Sequence, residues 1–377
     1  MKNIVVVAHK FLTQPDDDLV LFLIKEEYAN VLHICHSFSD APDRKSYYAW
    51  YKEGQLYKRG HSRDYRLFPE PLLYVKEMFF TILWLFRGGI IWNEYVAMDG
   101  LLCLFGRISK YFGRVESVIY WAIDFVPKNR FSSGLKSALY HRVNIAGYTN
   151  ADQMWDLSPR MAEAREHFLG VSPSIYKKHR VVPYGVWGER IQTFDYNQCN
   201  KNTLVFMGHL LEKQGAQLVL NALPAILKSI PDIRFKVIGT GPYKQELIRL
   251  AEKYGVSKQC DFLGKIDDIT VLEKEIATGA VALAPYIRAL DTWTYYADPG
   301  KVKTYLACGV PVLLTDVPWN AEEIERSGCG KIIAETPEDI AQKILLLLDP
   351  ARNQQSRERA RQYAMAFDYK KIFRDLL

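Results

Sequence analysis

The sequence predicts an α/β protein made of two doubly wound domains, each with a parallel sheet. Three observations carry this prediction. Apolar, β-branched runs recur in both halves of the chain, with segments of helical character between them, in βαβα order. The runs, from 2–8 to 310–315, lack polar alternation, as parallel strands covered on both faces do. A polar, irregular stretch at 191–202 interrupts the pattern, which then starts afresh. A chain of 377 residues is also too long for one ordinary core.

Taken in order, 2–8 is a strand and 9–18 a polar loop, with Asp16, Asp17 and Asp18 at the first turn of a helix over 19–28. Residues 31–36 form the next strand. The stretch 37–66 is aromatic and basic, with no strong period. A helix over 70–86 is apolar nearly all round and is broken at Gly88 and Gly89. Strand 90–92 leads through Asn93 and Glu94 to helix 100–111, and strand 115–123 ends at Asp124. Helix 132–142, strand 155–158, helix 159–168 (Ser158 as N-cap, Pro159 at the first position) and strand 180–183 close the first half.

In the second half, strands at 203–207, 234–238, within 256–262, at 280–284, 310–315 and 330–334 alternate with helices at 216–229, 243–254, 269–276, 302–308, 321–327 and 337–348. The tail, 352–377, reads as a charged amphipathic helix or a pair of them. The expected division is 1–185, a linker at 186–202, 203–350, and a C-terminal helical segment at 351–377.

Composition narrows the class. An apolar fraction of 49% with 24% charged residues is ordinary for a globular protein. The net charge of +6 is uneven: 1–185 holds 24 Lys+Arg against 19 Asp+Glu, a net +5, and the remainder nets +1. The first half is thus the one suited to an anionic partner or surface. The six cysteines are scattered, with no CxxC and no His pairs at metal spacing, so a reducing compartment and no structural metal are expected. No signal peptide is visible, and the longest apolar run, 78–86, is too short to span a bilayer. A cytoplasmic protein is expected. The basic aromatic segment 47–66 and the apolar helix after it could give it a surface facing the inner side of the membrane; a buried helix with a solvated face is the plainer alternative.

The stretch 298–316, DPGKVKTYLACGVPVLLTD, concentrates the chemistry. Asp298-Pro299-Gly300-Lys301 is a turn ending in a cation at a helix N-terminus, and Gly309 ends that helix before a buried strand. A helix N-terminus beside Lys301 and Lys303 is a candidate seat for a diphosphate. Asp298 could bind a donor hydroxyl or simply cap its helix. Gly239 and Gly241 would let backbone approach a ligand, or merely turn the chain. Asp124 and His9 each end a strand at the edge where ligands bind in such folds. Asp124 could orient an acceptor hydroxyl, act as base, or cap a turn. Asn93 and Glu94 have the same reading, and Arg160 could meet an acceptor phosphate.

The second half resembles the donor domain of a GT-B glycosyltransferase of the large group 1 type. The resemblance rests on VFMGHLLEKQGAQLVLNALPAI (205–226), FKVIGTGP (235–242), DFLGKI (261–266), VALAPY (281–286) and the 298–316 stretch, in that order. In the first half YWAIDFVP (120–127) and DLSPRMAEAR (156–165) are similar to acceptor-domain segments of the subgroup that makes bacterial polysaccharides and lipid-linked glycans.

The resemblance implies two Rossmann-like domains facing across a cleft, with the C-terminal helix returning to the first domain. It implies transfer of a hexose from a UDP- or GDP-linked sugar to a glycan or lipid-linked acceptor, without a metal or other cofactor, with retention at the anomeric carbon and with no nucleic acid partner. Donor-binding residues would be Gly208, His209, Lys213, Gly239, Gly241, Lys265, Ile266, Tyr286, Asp298, Pro299, Gly300, Lys303, Thr304 and Tyr305, with Lys301 and Asp124 catalytic. His9, Lys10, Phe11, Asn93, Glu94 and Arg160 would face the acceptor. The chain departs from the family pattern in three places: His9-Lys10-Phe11 replaces a Gly-Gly loop, His209 and Gln214 replace a basic pair, and Thr304 stands where the second of two paired glutamates is usual. A non-catalytic glycan-binding subunit, a UDP-sugar epimerase of the same architecture, and an inverting route with Asp124 as base are the competing readings.

Overall fold

The structure is a computed structural model that describes residues 2–10, 14–38, 41, 43–126, 130–290 and 292–377. The chain divides into two compact units, Met1–Pro183 and Tyr184–Leu377. Each is a doubly wound α/β unit.

The first unit runs β1 (Asn3–Lys10), α1 (Pro15–Lys25), β2 (Asn30–Ser37), β3 (Ser46–Lys52), β4 (Gln55–His61), α2 (Glu70–Phe86), β5 (Trp92–Ala97), α3 (Gly100–Tyr111), β6 (Val115–Ala122), α4 (Gly134–Asn150), β7 (Gln153–Asp156), α5 (Pro159–Leu169) and β8 (His179–Val181). Its sheet has the order β4-β3-β2-β1-β5-β6-β7-β8. Strands β2, β1, β5, β6, β7 and β8 are parallel; β3 and β4 add an antiparallel hairpin at one edge. Ile4 to Ala8 of β1 are wholly buried, as the unbroken apolar run predicts.

Three local differences from the sequence reading matter. The stretch without a visible period contains the β3–β4 hairpin, whose turn places Glu53 (φ 46°) and Gly54 (φ 76°) in the left-handed region. A Glu-Gly pair is an unusual occupant of such a turn, which favours Asn-Gly. The strand expected at 90–92 begins at Trp92 and runs on to Ala97. The helix expected over 132–142 continues to Asn150.

The second unit runs β9 (Thr203–Met207), α6 (Ala216–Leu227), β10 (Arg234–Ile238), α7 (Lys244–Lys253), β11 (Cys260–Gly264), α8 (Ile269–Ala277), β12 (Val281–Ala284), α9 (Thr292–Tyr296), α10 (Gly300–Ala307), β13 (Val312–Leu314), α11 (Ala321–Arg326), β14 (Gly330–Ile332), α12 (Pro337–Leu348), α13 (Pro350–Ala364) and α14 (Tyr369–Arg374). The sheet is all parallel, in the order β11-β10-β9-β12-β13-β14. One apolar cluster joins β9 and β10 to α6, α7 and α12; a second, on the other face, joins β12 and β13 to α10 and α13.

The stretch 186–202, read as a linker, lies against this unit. Val186 pairs with Asp368, Arg190 binds Glu273, and the Phe194 carbonyl accepts from Arg357 and Arg361. The tail forms two helices, and α13 packs on α10.

Candidate functional site

In an open parallel sheet, ligands bind beyond the C-terminal strand ends, at the point where the strand order reverses. In the second unit that point lies between β9 and β12: β10 and β11 follow on one side, β13 and β14 on the other. Lys301, in the first turn of α10, reaches into it. Its Nζ donates to Gln214 Oε1 and stands 4.6 Å from the Phe206 ring centroid and 4.7 Å from that of Tyr286. It lies just under Gly208, where an added Cβ would be 3.1 Å away. No carboxylate among the described residues pairs with it. The side chain is half-buried, and desolvation alone lowers its pKa to about 7. An ammonium held between two aromatic faces, with no counter-charge among the described residues, has the chemistry to receive an anion.

The loops around Lys301 are packed backbone to backbone. Gly239 (φ 137°) follows β10, and any Cβ there would lie 1.9 Å from the Gly208 carbonyl oxygen. Only glycine permits this approach. Gly241 is pressed in the same way against Leu210 and the ring of His209, which is exposed. Lys213 sets its ammonium 5.9 Å from the Trp293 ring. Lys265, exposed and paired with Asp267, and the partly buried Ile266 follow β11, two strands from the reversal point. Pro299 precedes α10 as its N-cap, and Gly300 lies beside the Tyr184 ring.

Several residues placed at the donor by sequence have their polar ends engaged inside the fold. Asp298 is buried; it accepts from the Tyr184 amide at 2.7 Å and from Trp319 Nε1 at 2.8 Å, and it pairs with Lys303. Lys303 is buried too, with a pKa that desolvation lowers against the pull of Asp298. The neighbouring cations of α10 thus differ in kind: Lys303 is a closed internal pair and Lys301 is open. Tyr305 braces the sheet, its hydroxyl accepting from the Met207 amide at 2.7 Å and facing the Met207 and Leu283 carbonyls. Thr304 donates back to the Gly300 carbonyl at 3.3 Å.

In the first unit the strand order reverses between β1 and β5. His9 stands there. Its Nδ1 is 2.6 Å from Asp99 Oδ2, and its Nε2 is 3.0 Å from Glu77 Oε2. Burial pulls the imidazole toward its neutral form, but Asp99 and then Glu77 outweigh that and raise its pKa to about 10. Asp99 is the N-cap of α3, accepting from the Leu102 amide. His36, next to His9, is driven the other way, by desolvation and then by the charges of His9 and Lys76; it bonds Ser46 and Thr81. His9 is therefore a fixed cation with both ring nitrogens occupied.

Asn93 and Glu94 do not end a strand. They begin β5, at the edge away from the reversal point, where Asn93 accepts from the Asn3 amide and Glu94 pairs with Lys2. The misplaced strand hid the residue that does follow β5 at the correct edge, Asp99. Asp124 is exposed beyond β6 and is held by Arg130 at 3.0 Å, which also reaches Tyr140. Arg160 lies partly buried in the first turn of α5. Lys10 ends β1, and Phe11 lies outside the described residues.

Sequence reasoning missed Gln214, Phe206, Glu77 and Asp99. Gln214 was visible only as a departure from a family pattern. Phe206 and Glu77 carry no local signal, because their place depends on which strands and helices become neighbours.

Residues 201–350 match the model of the family Glycosyl transferases group 1. A GDP-mannose-dependent alpha-(1-6)-phosphatidylinositol monomannoside mannosyltransferase of Mycolicibacterium smegmatis is 26% identical over 164 residues, 42% of this chain and 41% of that protein. A Corynebacterium glutamicum GDP-mannose-dependent mannosyltransferase acting on a monoacylated alpha-(1-6)-phosphatidylinositol monomannoside is 28% identical over 150 residues, 38% and 37% of the two chains. The chain thus matches about two fifths of the length of these relatives. Among solved structures, a sucrose-phosphate synthase from Thermosynechococcus elongatus superposes with a TM-score of 0.69 at 15% identity, covering 100% of this chain and 97% of that one. Anabaena HepE in complex with UDP gives 0.69 at 14% identity, with 99% and 98% covered. The fold of the whole chain is that of the GT-B glycosyltransferases.

Proposed function

We propose that this chain, whose residues 201–350 match the model of the group 1 glycosyl transferases, moves a hexose from a nucleotide-diphosphate sugar to a lipid-linked or glycan acceptor. The observation that carries the reading is Lys301, an amine with no carboxylate partner among the described residues, at the strand reversal of the second sheet.

Breaking the bond between sugar and diphosphate leaves negative charge on the leaving group. Lys301 and the N-terminus of α10 stabilise that charge as it grows, with no metal required of the protein. Gly208 and Gly239 let their two loops close against each other above Lys301, and Gln214 holds the Lys301 ammonium in place. Lys213 and His209 add positive or hydrogen-bonding groups on the same loop. Asp298 and Lys303 act one step back, fixing the turn that carries Lys301. GDP-mannose is the first donor to try, since two relatives are named for it. UDP-sugars follow.

The acceptor is proposed to be lipid-linked and the protein to work at the cytoplasmic face of a membrane. The names of the mannosyltransferase relatives support this, and so does α2. Leu72, Val75 and Phe79 lie three and four positions apart on α2 and are exposed, with Leu67 and Phe68 before them. Among the described residues no helix is long and apolar enough to cross a membrane. The stereochemical course is proposed to be retaining. A mannosyl product of inverted anomeric configuration, read by NMR coupling constants, would replace that route by direct displacement.

Transfer from labelled GDP-mannose and UDP-sugars to extracted polyprenyl and phosphoinositide acceptors tests the reading. Turnover with at least one donor, lost in Lys301→Ala, is expected. Sugar interconversion without an acceptor would favour an epimerase, and no turnover with any donor would favour a binding subunit.

A further inference from the structure

A cluster outside the proposed transfer site joins α1 to β2. His33 and Cys35 are two residues apart on β2, so both side chains leave the same face of the sheet. Asp16, wholly buried in the first turn of α1, meets them there. His33 Nε2 is 2.9 Å from Asp16 Oδ2 and 3.2 Å from Cys35 Sγ, and the three ligand atoms all lie within 4.8 Å of one another.

Two features set this cluster apart from an ordinary buried ion pair. First, one ring nitrogen faces both the carboxylate and the thiol. A single N–H points in one direction and cannot serve both well, whereas a metal ion occupies the point that all three atoms share. Second, Asp16 Oδ1 is buried with no hydrogen-bond partner among the described residues, and so is Gln14 Oε1 two residues earlier. Orphaned acceptor oxygens in one turn are costly and call for a cation or donor that the described residues do not supply.

We propose that Asp16, His33 and Cys35 form a binding site for a divalent transition-metal ion, best suited to zinc, with a fourth position left to water. A thiolate, an imidazole and a carboxylate are a ligand set that zinc accepts. Zinc–ligand bonds of about 2.0–2.3 Å place tetrahedral ligand atoms roughly 3.2–3.7 Å apart. The cluster therefore opens by a few tenths of an ångström as the ion enters. Cys35 is half-buried, which leaves a way in. The ion pins the first turn of α1 to β2 and takes no part in sugar transfer. The sequence carried an expectation of no structural metal because it offered no CxxC or His pair. A His-x-Cys on a strand, completed by an aspartate from the preceding helix, escapes that search.

The test is titration of the full-length, chelator-stripped protein with Co2+ and then Zn2+. One equivalent of cobalt should bind with a near-ultraviolet thiolate-to-cobalt band and visible bands of tetrahedral intensity, and zinc should displace it. Cys35→Ser, checked for folding by circular dichroism, should lose the near-ultraviolet band. Asp16→Asn should weaken cobalt binding by about 10-fold or more, the scale on which altering a zinc site's ligand environment acts. Absence of the thiolate band in the unmodified protein, or its persistence in Cys35→Ser, overturns the proposal.

Discussion

Lys301 and Lys303 stand two positions apart on one short helix, yet the residues around them assign opposite roles. Lys303 is matched by Asp298, so removing the acid leaves a buried ammonium with no partner. Asp298→Ala should cost about 3–5 kcal/mol in denaturant unfolding. Lys301 has no such match, and its burial is a cost to the fold. Its folded pKa of about 7 lies below the ordinary lysine value of 10.5, so the cost is fully present below pH 7 and disappears as pH rises toward 10.5. Lys301→Met should therefore leave the melting temperature unchanged or raised at neutral pH, and the gain should vanish at high pH. A marked loss of stability at pH 7 would show that the ammonium has a partner.

His9 has the opposite sign. Its pKa is raised from 6.5 to about 10, so the stability it contributes is complete below 6.5 and drains away as pH climbs to 10. The stability difference between the unmodified protein and His9→Gln should therefore narrow between neutral pH and pH 10, giving the two proteins different slopes of unfolding free energy against pH. An unchanged slope in the variant would mean that His9 is not charged between Asp99 and Glu77.

At the scale of elements, what could be read in the sequence follows how local each signal is. The strands of the second unit were legible because each is a short apolar run closed by glycine or a turn; 203–207 and 234–238 were placed to the residue. The α10 turn was legible because Pro299 and Gly300 punctuate it. The β3–β4 hairpin was not, because its turn is Glu-Gly and the outer strand β4 is exposed almost throughout, leaving no buried face to set a period. The start of β5 was missed because Trp92 through Ala97 include Asn93 and Glu94, two polar residues that read as a strand end. That single shift moved the candidate acceptor residues to the wrong edge and concealed Asp99.

Helix α2 shows both limits at once. Its apolar character was plain, but which side is covered is decided by tertiary packing: Leu73, Thr81, Trp84 and Leu85 face inward, and Leu72, Val75 and Phe79 face out. If this outer stripe meets a membrane, the double variant Val75→Ser, Phe79→Ser should lose most of its co-sedimentation with anionic vesicles and keep its melting temperature. Unchanged sedimentation would remove α2 from the membrane-facing surface.

Over the whole molecule, both units place charge where their strand order reverses, and the two sites are built differently. In the first unit the reversal point holds a cation already bracketed by two carboxylates, a closed arrangement. In the second it holds a cation bracketed by two aromatic rings and an amide, open to an anion. The family pattern pointed to the second of these places through the order of five segments. Within it, the pattern could not distinguish residues that meet a ligand from those that hold the loop, because Asp298, Lys303 and Tyr305 differ from Lys301 only in what the rest of the fold brings beside them. The most direct test of the central claim is calorimetric titration of GDP and UDP into the protein and into Lys301→Ala, near pH 7.5 in two buffers of different ionisation enthalpy. The unmodified protein should bind at least one of them with net proton uptake, because a diphosphate favours the charged form of an amine with a pKa of about 7. The variant should bind about tenfold or more weakly, a loss of roughly 1.4 kcal/mol, without that uptake. Equal affinity and equal proton uptake in the two proteins would contradict the assignment of Lys301 as the diphosphate seat.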